Sequence, residues 1–367
     1  MSDTGGGHRA SVKALMATVD EMHPTGGPKQ TMVDVFAECS GFLNIFAQMY
    51  GPLVNRYPSA WGKLFYFFED EKQMERLEKL ARPFIKKGLV RLYERQNPDL
   101  IVSVHPLVNH LTVKALQEMG RTIPFATVVT DPVDVHRTWV APEVDLLIVA
   151  TDEARVRALK YGIAPEKLKV IGLPVHPKFL KPADSASEIR KRLGLKPNLQ
   201  TVLLMGGGEG GGHMDRIVRE LEKTQLPMQT IVVAGRNQKL QMTLERMVGE
   251  LKMPLKVYGF TDEVPDLMSA SDIFVGKGGP GTMAESLAKE IPLVITSWLP
   301  GQEEGNVEYV RDHNLGRLCK DYSKIGETIK ALLEPKTLAV IRENIRRVRR
   351  PRASHEIMEE LFWLIKA

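Results

Sequence analysis

Val202-Leu203-Leu204-Met205-Gly206-Gly207-Gly208-Glu209-Gly210-Gly211-Gly212 runs into a helical stretch, Met214–Lys223. Four apolar residues, a run of glycines and a helix are the parts of a buried strand that ends in an anion-binding turn. Glycine lets backbone N–H groups approach an anion, and the following helix N-terminus adds positive dipole. The same order recurs where Ile273-Phe274-Val275 meets Gly276-Lys277-Gly278-Gly279-Pro280-Gly281-Thr282. A third loop, Gly5-Gly6-Gly7-His8-Arg9-Ala10-Ser11, stands near the start of the chain. Each alone could be no more than a tight turn. Three at strand ends make anion binding the better reading.

Outward from these loops, short apolar runs alternate with helices. Residues 101–104, 126–129, 146–149 and 169–172 read as strands of a first half. Residues 202–205, 230–233, 255–258, 273–275 and 292–295 repeat the pattern in a second half. Continuous apolar character is that of parallel strands covered on both faces. The fold class expected is α/β, with two doubly wound Rossmann-like domains facing a cleft. The Pro-rich stretch Leu173–Pro177 and the polar Lys181–Ser185 mark the boundary. The expected domains are 1–177 and 178–345, with a C-terminal helix over 346–367 packing back on the first. No strand precedes the first glycine loop, so the first strand of the N-terminal sheet is expected to be missing from the chain.

The chain has 367 residues, 43% hydrophobic and 26% charged, which suits two domains with their own cores. A net charge of +5 fits phosphate-bearing ligands or an anionic membrane without choosing between them. Two distant cysteines, Cys39 and Cys319, build neither a disulfide framework nor a zinc site, so a reducing cytosol is expected. No apolar run reaches the ~20 residues that span a bilayer, and no signal peptide is seen. The loop at Gly206–Gly212 lacks the Gly-Lys-Ser/Thr ending of a P-loop, and no loop fits the dinucleotide fingerprint. A nucleoside triphosphatase and a dehydrogenase are disfavoured. Nucleic acid is not an expected partner, since no base-stacking or groove-reading motif appears.

Further residues carry chemistry. Glu285, on the helix that Gly281-Thr282 opens, is placed to accept from ribose hydroxyls, or to favour its own helix as an early acid. Gln302-Glu303 in the loop Leu299–Asn306 suit a sugar's vicinal hydroxyls. Asp131 ends a strand and could orient a histidine, act as a base or cap a turn. His136 and Trp139 follow it. His8 closes the first glycine loop; histidine titrates near neutral pH and suits proton abstraction. Between Phe36 and Phe68 aromatics crowd among Arg56 and Lys63, with Phe46, Tyr50, Pro52, Pro58, Trp61 and Phe65 among them. Such a segment suits a membrane interface or a packed hairpin. Six arginines between Arg342 and Arg352 could attract anionic lipid or form a solvated face.

Ser2–Ser11, Ser103–Leu107, Gly206–Gly210, Ala234–Asn237, Tyr258–Phe260, Lys277–Thr282 and Pro300–Asn306 together resemble the monogalactosyldiacylglycerol synthase group of glycosyltransferases. Diacylglycerol glucosyltransferases and the peptidoglycan N-acetylglucosaminyltransferase are similar relatives. The resemblance implies a GT-B fold, inversion at the anomeric carbon, no cofactor or metal, and UDP held mainly by the C-terminal domain. It makes His8 the base; Asp131, from its place at a strand's end, is the second catalytic candidate. It places Gly207, Gly208, Arg236, Phe260, Gly279, Pro280, Gly281, Thr282, Glu285, Gln302, Glu303 and Asn306 on the UDP-sugar. Trp61, Phe65, His105, His136 and Trp139 fall on the acceptor or membrane side; Pro132-Val133-Asp134 departs from the family pattern. The expected reaction moves galactose from UDP-galactose to diacylglycerol at the cytoplasmic face of a membrane, with anionic lipid as a partner. UDP-glucose as donor, a UDP-sugar epimerase and a non-catalytic UDP-sugar sensor remain alternatives.

Overall fold

The computed structural model describes residues 1, 6–181 and 184–366. Ser2–Gly5 of the first glycine loop and Pro182-Ala183 of the boundary stretch lie outside the described residues, as do the side chains of Phe46, Tyr50, Pro52, Arg56 and Pro58. The chain divides into two compact units. The first holds Met1–Pro177, Leu299–Gly305 and Arg350–Ala367, and the second Lys178–Trp298 and Asn306–Arg349.

The first unit runs α1 (Gly6–Met22), α2 (Val35–Cys39), α3 (Gly41–Arg56), α4 (Pro58–Phe67), α5 (Glu71–Gln96), β1 (Ile101–Ser103), α6 (Asn109–Met119), β2 (Phe125–Val128), β3 (Leu146–Val149), α7 (Asp152–Lys160) and β4 (Leu168–Val170). Its sheet is parallel, in the order β1-β2-β3-β4, without reversal among the described strands. Side chains alternate across a strand, and β3 uses both faces. Leu147 and Val149 join Ile85 and Leu89 of α5 and Leu116 of α6 in one core. Leu146 and Ile148 join Leu15 and Val19 of α1 in another. Burial on both faces is why Leu146–Val149 reads as an unbroken apolar run.

The second unit runs α8 (Ala186–Arg192), β5 (Gln200–Met205), α9 (Met214–Lys223), β6 (Met228–Val233), α10 (Gln238–Val248), β7 (Leu255–Tyr258), α11 (Val264–Ser269), β8 (Ile273–Lys277), α12 (Pro280–Ala288), β9 (Leu293–Ser297), α13 (Glu304–Asp312), β10 (Gly316–Leu318), α14 (Ile325–Leu333) and α15 (Pro335–Val348). All six strands are parallel, in the order β10-β9-β8-β5-β6-β7. Strand order reverses between β5 and β8, and the crevice at such a switch point is where open α/β sheets bind ligands. Both glycine loops of this unit leave the carboxyl ends of those two strands.

Two expected boundaries differ from the structure. The C-terminal segment changes unit after Arg349 rather than at residue 346, because α15 continues to Val348. Its last helix, α16 (Ala353–Lys366), adds Ile357 and Leu361 to the α1 side of the first sheet. The Ser354 hydroxyl accepts from Val175 N–H at 2.9 Å and donates to Val175 O at 2.8 Å. The loop Leu299–Gly305, expected within the second domain, groups with the first unit, and the contacts described below hold it there.

Candidate functional site

In the first unit, catalytic candidates gather past the carboxyl ends of β1 and β2. His8 sits in the first turn of α1. Its Nδ1 lies 3.1 Å from the hydroxyl of buried Thr130, two residues beyond β2. The His8 ring is 4.7 Å from the His105 ring and 6.0 Å from that of Trp139. His105 is buried, and its Nδ1 accepts the Leu107 N–H at 3.3 Å. Burial first, then the neighbouring His8 and the chain's N-terminal ammonium, hold its pKa well below the usual value. A neutral His105 packed edge-on to Phe36 at 5.7 Å is a structural wall beside His8.

Asp131 is held by two neighbours. The indole N–H of fully buried Trp139 donates to its carboxylate at 2.6 Å, and the Gln302 amide donates at 3.4 Å. Burial pushes Asp131 up to about 6, against the pull of those two hydrogen bonds. The residue beside His8 is Thr130, to which nothing in the spacing points. Trp139 and His136 lie inside the fold as well. His136 Nδ1 accepts the Thr138 N–H at 3.2 Å, which puts the proton on Nε2, 3.0 Å from Phe65 O. Burial lowers the His136 pKa.

Of the aromatic segment, Phe65 turns inward. Its ring is 4.5 Å from His136 and lies against Gly301, while Trp61 is half-buried. Other side chains of the same segment are exposed, among them Phe42, Ile45 and Met49 on α3 and Tyr66 and Phe67 on α4, and Leu80 and Phe84 of α5 are exposed as well. Five of the six arginines near the C-terminus have carboxylate partners, which they share, so the stretch keeps a positive excess. Arg342 pairs with Asp272, Arg346 and Arg349 with Glu290, Arg347 with Glu343, and Arg352 with Glu359.

In the second unit, the loop after β5 folds backbone against backbone. A Cβ on Gly206 would lie 1.9 Å from Gly211 O, and one on Gly210 (φ +64°) 2.0 Å from Ala234 O. The Arg236 N–H donates to Gly208 O at 2.8 Å, so the turn Ala234–Asn237 closes onto the glycines. The Arg236 guanidinium reaches Glu209 at 3.0 Å and covers the ring of exposed Phe260 at 4.6 Å. After β8, Gly279 caps α12 without a side chain and Pro280 occupies the first helical position. The N–H groups of Gly281 and Thr282 have no partner inside the helix, which is the arrangement that binds phosphate. One turn on, Glu285 is half-buried, and burial pushes its carboxyl up to about 7, opposed by Lys178.

The remaining donor candidates divide. The Asn306 amide donates to Gly278 O at 3.0 Å, so this buried residue braces the β8 loop. Glu303 turns a carboxylate oxygen onto Leu299 N–H at 2.7 Å within its own loop. Gln302 reaches beyond the loop, to Asp131.

A family model described as monogalactosyldiacylglycerol (MGDG) synthase matches residues 8–175, and one described as glycosyltransferase family 28 C-terminal domain matches residues 201–352. A probable monogalactosyldiacylglycerol synthase, chloroplastic, of Nicotiana tabacum is 34% identical over 379 residues, covering 100% of this chain and 70% of the relative. MurG of Acinetobacter baumannii is similar in structure with a TM-score of 0.57 at 12% identity, over 77% of this chain and 80% of MurG. A UDP-GlcNAc 2-epimerase from Neisseria meningitidis bound to UDP-GlcNAc gives 0.57 at 16% identity, over 76% and 80%. At such identities the structures establish the fold alone: GT-B, parallel sheets flanked by helices in two units.

Proposed function

The chain belongs to the monogalactosyldiacylglycerol synthase family of glycosyltransferases, and from that membership we propose that it transfers galactose from UDP-galactose to diacylglycerol with inversion. The observation that carries the mechanism is the His8–Thr130 hydrogen bond. With Nδ1–H donating to the threonine oxygen, the lone pair sits on Nε2. That nitrogen takes the proton of the acceptor hydroxyl. The freed oxygen attacks the anomeric carbon on the face opposite UDP, the bond to UDP breaks, and its electron pair leaves on the diphosphate.

The leaving charge meets the N–H groups of Gly281 and Thr282 at the start of α12. Arg236 adds a cation on the neighbouring turn, where it trades Glu209 for phosphate. Glu285 takes the ribose hydroxyls and Gln302 reads the sugar. A fold shared with an epimerase leaves that alternative open; membership of a synthase family favours transfer.

No helix among the described residues is long and apolar enough to cross a membrane. We place the lipid contact on α3 and α5. Phe42 stacks on Phe84 at 4.7 Å, joining the exposed faces of the two helices. Arg76, Leu80, Phe84, Lys87 and Arg91, spaced at three and four residues and all exposed, form one stripe of α5. Apolar side chains among cations suit an anionic bilayer surface.

Replacing His8 tests the proposal. His8→Ala should lower kcat about 100- to 10,000-fold, the range for loss of a general base, with UDP affinity unchanged. Undiminished transfer by that variant would remove His8 from the mechanism.

A further inference from the structure

The loop Leu299–Gly305 is seated on α4 and on the segment after β2. Tyr66 donates its hydroxyl to the Glu304 carboxylate at 2.6 Å. Asp134 accepts the Gly305 N–H with one oxygen and holds Arg157 at 2.7 Å with the other. Glycines stand at the points of closest approach. A Cβ on Gly62 would meet Pro300 Cβ at 2.9 Å, one on Gly301 (φ +80°) would meet Phe65 at 2.9 Å, and one on Gly305 would meet the Asp134 carboxylate at 2.7 Å. A methyl group at any of these three glycines would have to push the loop off its seat. Between those anchors lies Gln302, with its amide on Asp131.

We propose that Tyr66 and Asp134 are positioning residues for the sugar of the donor: they fix the loop whose Gln302 reads its hydroxyls. The inference rests on the role given to Gln302 above. Three observations support a positioning role rather than general stability. Both anchors grip the residues immediately after Gln302-Glu303. Asp134 is nearly buried and makes a charge-assisted bond, the stronger kind. Tyr66 is about half exposed, so its hydroxyl has water as an alternative and gains little for the fold by reaching Glu304.

The test titrates UDP and UDP-galactose separately into wild-type protein, Tyr66→Phe, Asp134→Ala and Gln302→Ala, with KM and kcat measured alongside. Tyr66→Phe should raise the KM for UDP-galactose about fivefold, the size of one hydrogen bond of ~1 kcal/mol. Asp134→Ala should raise it more. UDP affinity should stay unchanged in both, so the ratio of UDP-galactose to UDP affinity falls. Glu304→Gln retains an acceptor for Tyr66 and should keep a near wild-type KM. Simple loss of folded protein would instead lower kcat at constant KM. If the ratio shifts in Gln302→Ala but not in Tyr66→Phe, which removes one oxygen and leaves the fold intact, the inference fails alone. If Gln302→Ala also leaves the ratio unchanged, the sugar role of Gln302 fails and takes the inference with it.

Discussion

At the scale of single residues, two carboxyls carry their own pH signatures. Asp131 lies at about 6 instead of 3.8 because it is buried. A folded-state pKa above the unfolded value contributes stability that is complete below pH ~4 and lost as pH rises through ~6. That difference corresponds to about 3 kcal/mol. Asp131→Asn should therefore flatten the stability curve between those values and gain on wild type at pH 7; denaturant titrations at pH 4 and pH 7 measure it. A variant with the wild-type slope would contradict the burial argument. Glu285, at about 7, follows the opposite logic for ligand. On the role proposed for Glu285, ribose hydroxyls would donate to the ionised carboxylate, so UDP affinity should rise as pH rises through 7, and Glu285→Gln should abolish that dependence in calorimetric titrations. His8 and the glycine loops were available as candidates in the sequence because glycine runs, and a histidine that directly follows one, are local patterns. Thr130, Tyr66 and Asp134 were not, because a hydroxyl or carboxylate acquires its role from a partner many residues away.

At the scale of elements, apolar runs marked β1 to β9: the central strands are apolar throughout because both faces are covered, and the edge strands β4 and β7 keep apolar residues around Lys169 and Lys256. β10 escaped because Gly316-Arg317-Leu318 is short, on the sheet's edge and carries an exposed arginine at its centre. The aromatic segment announced helices but not their orientation. Aromatics suit a core and an interface equally, and only packing turns Phe65 inward and Phe42 outward. The loop Leu299–Gly305 read as part of the second domain because sequence continuity says nothing of which unit supplies its contacts. Where backbone approaches backbone, the cost of a side chain can be stated in advance. Gly210→Ala would set a methyl 2.0 Å from Ala234 O at a φ of +64°. It should weaken UDP binding about tenfold or more, since the turn bearing Arg236 must move. A variant with wild-type UDP affinity would show that this loop does not hold the nucleotide.

At the scale of the whole molecule, the exposed faces of α3 and α5 give the surface a direction. Leu80→Glu with Phe84→Glu should lower flotation with anionic vesicles about tenfold or more, by removing apolar contact and adding like charge to the lipid. Turnover on detergent-dispersed diacylglycerol should be spared. Equal losses in both assays would mean that the helices serve the fold instead. Relatives named as synthases, and a family model over residues 8–175, place the chain in a glycosyltransferase family. The most direct measurement offers UDP-galactose and UDP-glucose in parallel to the protein on diacylglycerol vesicles and determines the anomeric configuration of any glycolipid by NMR. Galactosyl transfer giving a β-linked product is the expected result. An α-linked product would contradict inversion, glucosyl transfer alone would contradict the donor, and release of UDP without glycolipid would contradict diacylglycerol as acceptor.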